Sequence, residues 1–182
     1  MLLDNRRAVA RAAELARAHG LTVEVAEDIA EQHVAEGARL LVARLLNLRE
    51  RAGGGRGVCL ISGGEFACPV RGGGRGGRSS ETVLRCALEL EARGFAGAQP
   101  NSQRPPRVVA LGAGTDGVDG NSPAAGAVCD ETTLARARAL GLDPRRHLEA
   151  SDSYAFFRAL GDDLVTGPTG TNVRDLRILI AR

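Results

Sequence analysis

The chain contains no lysine: all 24 of its basic residues are arginine. That absence excludes a Walker-type G-K-[ST] phosphate loop, a Schiff-base nucleophile and a lysine proton carrier. Any clamp on phosphate or carboxylate oxygens must then be a guanidinium, planar and fixed in charge. Aromatic residues make up 3% of the chain, too few for base-stacking platforms, and a net charge of +2 supplies no concentrated basic face, so nucleic acid is not an expected partner. Cys59, Cys68, Cys86 and Cys129 form no C-x-x-C pair and sit in apolar stretches, which predicts buried free thiols rather than disulfides or a zinc site. No apolar run approaches the length of a membrane span, and Met1-Leu2-Leu3-Asp4 does not open a signal peptide, so no membrane partner and a cytoplasmic location are expected. His19, His33 and His147 lack the spacing of a metal site or a triad, and there is no G-x-S-x-G elbow.

What is present describes a folded globular protein: 43% hydrophobic and 25% charged residues over 182 positions, enough for one domain or one domain and part of another. Met1-Leu2-Leu3 reads as the end of a strand, as if the chain opened in mid-domain. Asp4 or Asn5 caps an amphipathic helix over 6–18, Leu21 to Val25 alternates as a strand, and 29–51 carries apolar residues at helical spacing. This β-α-β-α order is the unit of a parallel sheet covered by helices. Gly53-Gly54-Gly55 marks a boundary, dividing residues 1–52 from 53–182. Beyond it, Val58 to Ser62 and Phe66 to Val70 read as strands, 80–92 as a helix, Arg107 to Leu111 as a buried strand, 130–140, 144–148 and 154–160 as helices, and Leu176 to Ala181 as a closing strand. Ala98 to Pro106 reads as a surface loop.

Three glycine-rich loops stand out. The first, Gly72-Gly73-Gly74-Arg75-Gly76-Gly77-Arg78, runs into a helix capped at Ser79 or Ser80. Glycines free the backbone N–H groups to converge, the helix start adds unpaired donors, and two arginines offer planar forks, a combination suited to an anion. A flexible linker is the plainer reading of any such run. The second loop, Gly114-Thr115-Asp116-Gly117-Val118-Asp119-Gly120, brings Asp116 and Asp119 to the end of a strand, where open α/β sheets hold ligands. Those carboxylates suit Mg²⁺ or a substrate hydroxyl, or else an Asx turn bonded to its own backbone. The third, Thr166-Gly167-Pro168-Thr169-Gly170-Thr171-Asn172, offers hydroxyls and an amide, or a tight structural turn. Together they favour a small, oxygen-rich, negatively charged ligand.

The ordered runs Ser62-Gly63-Gly64-Glu65, Gly74-Arg75-Gly76-Gly77-Arg78-x-x-Glu81, Gly114-Thr115-Asp116-Gly117-x-Asp119-Gly120, Asp152-Ser153-Tyr154-x-Phe156-Phe157 and Thr166-Gly167-x-Thr169-Gly170-Thr171-Asn172-Val173-x-Asp175 resemble the MOFRL domain. That is the C-terminal domain of glycerate 2-kinases, proteins often labelled hydroxypyruvate reductase. The resemblance spans residues 57–180, and 1–52 resembles the last β-α-β-α piece of the family's N-terminal domain. It implies a three-layer α/β/α domain and ATP-dependent phosphorylation of D-glycerate with Mg²⁺, in a cleft completed by an N-terminal domain of which only a remnant is present. A truncated chain of that kind is expected to be inactive alone, and a homo-oligomer is compatible with it.

Carried onto this chain, the resemblance gives Arg75 and Arg78 the substrate carboxylate or migrating phosphate and Asp116 or Asp119 a hydroxyl or metal. Gly74, Gly76, Gly77, Glu81, Gly114, Thr115, Gly117, Thr169, Thr171 and Asn172 form the binding walls. No metal-ligand set is specified. The chain departs from the family pattern at Phe66, where Thr is usual, and at Ser79-Ser80, where Asn-Gln is usual. Two other readings remain: a nicotinamide-dependent hydroxypyruvate reductase, since Gly72, Gly74 and Gly77 match G-x-G-x-x-G, and a non-catalytic folded module.

Overall fold

The computed structural model describes residues 4–53, 57–95 and 107–182. The expected strand end at 1–3, the glycines at 54–55 and the loop 98–106 lie outside them. The first helix, α1 (Asn5–Ala18), starts where the Asp4 carboxylate accepts the Arg7 N–H, and it buries Val9 and Ala13, four apart and therefore on one side. Strand β1 (Thr22–Val25) follows, then α2 (Val34–Arg51), β2 (Val58–Gly64), α3 (Arg78–Ala92), β3 (Val108–Gly114) and β4 (Gly126–Asp130). Three short helices, α4 (Thr133–Ala139), α5 (Pro144–Glu149) and α6 (Ser153–Leu160), lead to β5 (Asp163–Leu164) and β6 (Asp175–Ala181).

The fold is α/β, built on one six-stranded sheet in the order β1-β2-β6-β3-β4-β5. Strand β1 pairs parallel with β2, but every other pairing among the described residues is antiparallel, so the sheet is mixed where the opening β-α-β-α order predicts a parallel one. The last strand causes this: β6 inserts between β2 and β3 and runs against both. Its residues alternate, with Leu179 and Ala181 in the main core beneath α2 and α3 and Leu176, Ile178 and Ile180 facing α1. Helices therefore cover both faces, α1 alone on one and the remainder on the other among the described residues. Residues 4–53 share the sheet and core of the rest: β1 extends the sheet through β2, and Leu41 and Leu45 of α2 are fully buried with Leu84 of α3.

Several predicted elements differ. Phe66 to Val70 is not a strand: Pro69 has no N–H to donate, and only Ala67 is tied, by exchange with Gln32 and Val34. Helix α2 begins at Val34, not Ile29, because the His33 ring caps it by accepting the Ala35 N–H at 3.3 Å. The segment read as a helix from Asp130 is the end of β4, and α4 starts only at Thr133.

In the sheet register Asp175, the first residue of β6, lies opposite both Gly64 and Gly114, the last residues of β2 and β3. The loops leaving β2 and β3 and the loop entering β6 therefore open on one edge of the sheet.

Candidate functional site

At that edge lies a hollow of about 450 Å³, walled by Gly74, Gly76, Gly77 and Arg78 from the first glycine loop and by Asp116, Val118, Asp119, Gly120 and Asn121 from the second. Phe66, Cys68, Glu81, Ser151, Ser153 and Asp175 close it. The first two loops thus converge as the sequence predicts. The third does not line the hollow: Thr169 donates its hydroxyl to the Thr115 carbonyl at 2.6 Å and its N–H to the Asp116 carbonyl at 3.0 Å, bracing the second loop from behind. Thr171 donates its N–H to the Thr169 hydroxyl, and Asn172 accepts the N–H of Arg174, so both close their own turn.

The backbone donors predicted to await an anion are already used. The N–H groups of Gly74, Arg75, Gly76 and Gly77 go to the Ala150 carbonyl, the Asp152 carboxylate, the Asn121 amide oxygen and the Asp119 carboxylate, at 2.8 to 3.1 Å. Asp119 also accepts from the N–H groups of Ser79 and Ser80 at 2.9 Å and from the Ser80 hydroxyl at 2.5 Å. It is 3% exposed. The anion at the α3 N-terminus is therefore the protein's own carboxylate, donated by the neighbouring loop. Burial raises the Asp119 pKa, partly offset by these hydrogen bonds, and both its oxygens are committed. The glycines serve this loop-on-loop contact: a Cβ on Gly77 would stand 2.5 Å from the Gly120 nitrogen, and Gly120, at φ +61°, adopts a conformation side chains disfavour. In the second loop the Gly114, Thr115 and Gly117 N–H groups are likewise bonded, to Ala125, Arg174 and Gly114 carbonyls.

The two arginines behave differently. Arg75 is exposed, lies outside the hollow and places its guanidinium 5.1 Å from the Tyr154 ring centroid. Arg78 lines the hollow and is held by two carboxylates: its Nε donates to Asp175 at 2.6 Å and its Nη2 to Glu65 at 2.8 Å. Its Nη1 has no acceptor among the described residues. Burial opposes the Arg78 cation, but Asp175, Glu65 and Asp119 outweigh that and raise its pKa. Burial raises the Asp175 pKa in turn, against the pull of Arg78. Asp175 is fixed from a second side, since the Asn5 amide donates to the carbonyls of Val173 at 2.7 Å and of Asp175 at 3.0 Å.

The remaining wall groups are mostly committed. Glu81 is buried, and one of its oxygens, Oε1, accepts from Arg71 at 3.2 Å and from Arg85 at 3.0 and 2.7 Å. Cys68 beside it has its thiol pushed up to about 12, by burial first and then by Glu81, so it stays protonated. Asp116 is the exception: half-buried, it uses Oδ1 to accept the Val118 N–H at 3.1 Å and Oδ2 for no hydrogen bond among the described residues. Sequence reasoning misses Glu65, Asp175, Asn121, Ser151 and Ser153 as wall or clamp residues. Glu65, Ser153 and Asp175 stand inside the motif runs, but their meeting with the two loops depends on where β6 is inserted.

The literal G-x-G-x-x-G match does not make a dinucleotide turn, because no strand precedes it and its donors are spent on the protein. Among the described residues no group of three His, Cys, Asp or Glu side chains could hold a metal by itself, and no helix is long and apolar enough to cross a membrane.

The strand ends and loops that build this edge fall within residues 58–175, the stretch matched by the model of the MOFRL family. The chain belongs to that family. It is 35% identical over 99% of its length to a protein of Agrobacterium vitis named as a hydroxypyruvate reductase, and 43% identical over 66% of its length to the D-glycerate 2-kinase of Thermotoga maritima. The crystal structure of the Thermotoga maritima glycerate kinase superposes over 98% of the chain with a TM-score of 0.85 at 32% identity. The chain spans only 44% and 26% of the two relatives' lengths and 41% of the chain in that crystal structure.

Proposed function

We propose that this chain is the C-terminal part of a glycerate 2-kinase, acting on D-glycerate with ATP as phosphoryl donor, and that it is inactive without a further domain such as its longer relatives carry. Residues 1–52 would then be the last piece of that domain and 53–182 the MOFRL domain. The observation that carries the reading is Arg78: a guanidinium oriented by two carboxylates, with Nη1 left over, on the wall of the hollow. That group suits the carboxylate of a small hydroxy acid. Beyond it Ser151, Ser153 and Asn121 line the hollow; the Ser151 hydroxyl accepts from Arg71 and donates to no described residue, whereas the Asn121 amide is already bonded to Gly74 and Gly76. The hollow's volume suits a three-carbon acid with water, and an enzyme of that kind would act on a cytoplasmic metabolite.

Mg²⁺ with ATP supplies the transferable phosphoryl group and neutralises its charge. The donor set fits Mg²⁺ only in part: such ions need one or two protein carboxylates beside phosphate oxygens, and Asp116 has an oxygen to spare, whereas Glu81 is already shared by Arg71 and Arg85. Asp119 is not available for that role. In this reading Arg78 binds and orients the acid, Asp175 and Glu65 hold Arg78, and Asp116 aligns the hydroxyl or the ion.

Glycerate-dependent ADP formation tests the reading. None is expected from the chain alone, and activity should appear when the N-terminal part of the Thermotoga maritima kinase is added. Failure of that mixture while the same two pieces of the Thermotoga enzyme complement each other would overturn it. The Agrobacterium relative's name suggests hydroxypyruvate reduction instead. NADH fluorescence should stay unchanged on titration with the chain, since no dinucleotide turn is formed.

A further inference from the structure

A second hollow, of about 190 Å³, is lined by three arginines, Arg71, Arg85 and Arg145, with Leu148 and Glu149. The main hollow carries one, Arg78, and a hollow of about 390 Å³ beside α1 carries two, Arg6 and Arg174. Arg71 and Arg85 are 35% and 19% exposed and together grip one oxygen of Glu81. That grip uses Nη1 of Arg71 and Nε and Nη2 of Arg85, leaving Nε and Nη2 of Arg71 and Nη1 of Arg85 without protein acceptors among the described residues. Arg145 is exposed and has no carboxylate within ion-pair distance among them. Glu149 is exposed and equally unpaired, and it opposes any anion there. Three guanidinium groups around one small space, with one buried carboxylate already shared, form a fork-lined seat for a tetrahedral oxyanion.

We propose that this hollow binds a phosphate dianion, free or as the end of a phosphate ester, and that its occupancy is felt in the main hollow. The link is short. Glu81 lines the main hollow and also accepts from Arg71 and Arg85, so an anion drawing on the same guanidinium groups loosens their hold on it. The backbone adds a second tie, because the Arg71 N–H donates at 2.9 Å to the Ser151 hydroxyl, and Ser151 also lines the main hollow. Coupling of this kind is reciprocal: whatever fills one hollow changes affinity at the other by the same factor. The site does not depend on the kinase reading.

Inorganic phosphate titrated into the whole chain, against chloride at equal ionic strength, tests it through the arginine Nε–H resonances. Those of Arg71, Arg85 and Arg145 should move together with one Kd, along with the Ser151 and Glu81 amides. Arg145→Ala should weaken binding about three- to tenfold, and Glu149→Gln should tighten it about two- to threefold. Both residues sit on exposed positions of α5 outside the main hollow, so neither change threatens the fold. Glycerol 2-phosphate binding with the same Kd assigns the seat to ester ends, and its exclusion assigns the seat to the free ion. Equal phosphate affinity in wild type and Arg145→Ala, or shifts confined to Arg75 and Arg78, would overturn the site. Arginine shifts with motionless Ser151 and Glu81 amides would overturn the link.

Discussion

Replacing Asp119 by Asn separates a structural carboxylate from a reacting one. Asp119 accepts four hydrogen bonds, from the N–H groups of Gly77, Ser79 and Ser80 and from the Ser80 hydroxyl. An Asn in the same place keeps one oxygen for Ser79 but turns an NH₂ group toward the Gly77 and Ser80 donors. The buried Ser80 N–H and the part-buried Gly77 N–H then lose that acceptor, at about 1 to 3 kcal/mol each, while removal of a buried charge returns part of that. The net expectation is a loss of about 2 to 4 kcal/mol at neutral pH, read as a lower urea midpoint at unchanged slope. A pH series adds a sign. Because burial raises the Asp119 pKa in the folded state, its contribution is complete below the ordinary carboxylate range and declines as pH rises through the raised value. The gap between wild type and Asp119→Asn should therefore narrow from acid toward neutral pH. A variant as stable as wild type, or more stable, would refute the structural assignment and return Asp119 to the list of reacting groups.

Asn5→Ala removes the two hydrogen bonds that tie α1 to the entry of β6, and it should cost about 1 to 3 kcal/mol in urea unfolding. Arg78→Met leaves the buried Asp175 carboxylate without its cation. Discounted for the 37% exposure of the Arg78 side chain, the expected loss is about 1 to 3 kcal/mol, and it should shrink when the pH is lowered enough to protonate Asp175. The Asp175→Asn, Arg78→Met double variant should recover part of it, as a double-mutant cycle would show. Cys68, though partly exposed, has its thiol pushed up to about 12, and iodoacetamide at neutral pH should alkylate it at least about tenfold more slowly than a free cysteine peptide.

How far the sequence discloses this molecule depends on whether a feature is local. The helical spacing of Val83, Leu84, Ala87 and Leu90 and the strand pattern of residues 176–181 are local, and both elements form and end where expected, although α3 starts earlier, at Arg78 with Gly77 rather than Ser79 or Ser80 at its N-cap, and β6 takes in Asp175. The placing of β6 between β2 and β3 is not. It depends on pairings more than a hundred residues apart in one case, and no periodicity specifies a partner. That insertion carries Asp175 to Arg78 and makes the sheet mixed. The three glycine loops are conspicuous in the sequence, and the first two do meet. Their glycines admit each other rather than a ligand, a distinction composition cannot make because both need the same missing Cβ. The resemblance supplies the family, while the neighbours that hold Arg78 and occupy Asp119 emerge only from the packed loops.

The most direct check of the account is a titration of D-glycerate into the chain, followed by the arginine Nε–H and backbone amide resonances. Arg78, Asn121, Ser151 and Ser153 should shift with a common Kd, and Arg78→Met should abolish the shifts while Arg75→Ala leaves them in place. Glycerate-induced shifts that survive loss of Arg78, or that gather at the third loop around Thr171 and Asn172, would contradict it.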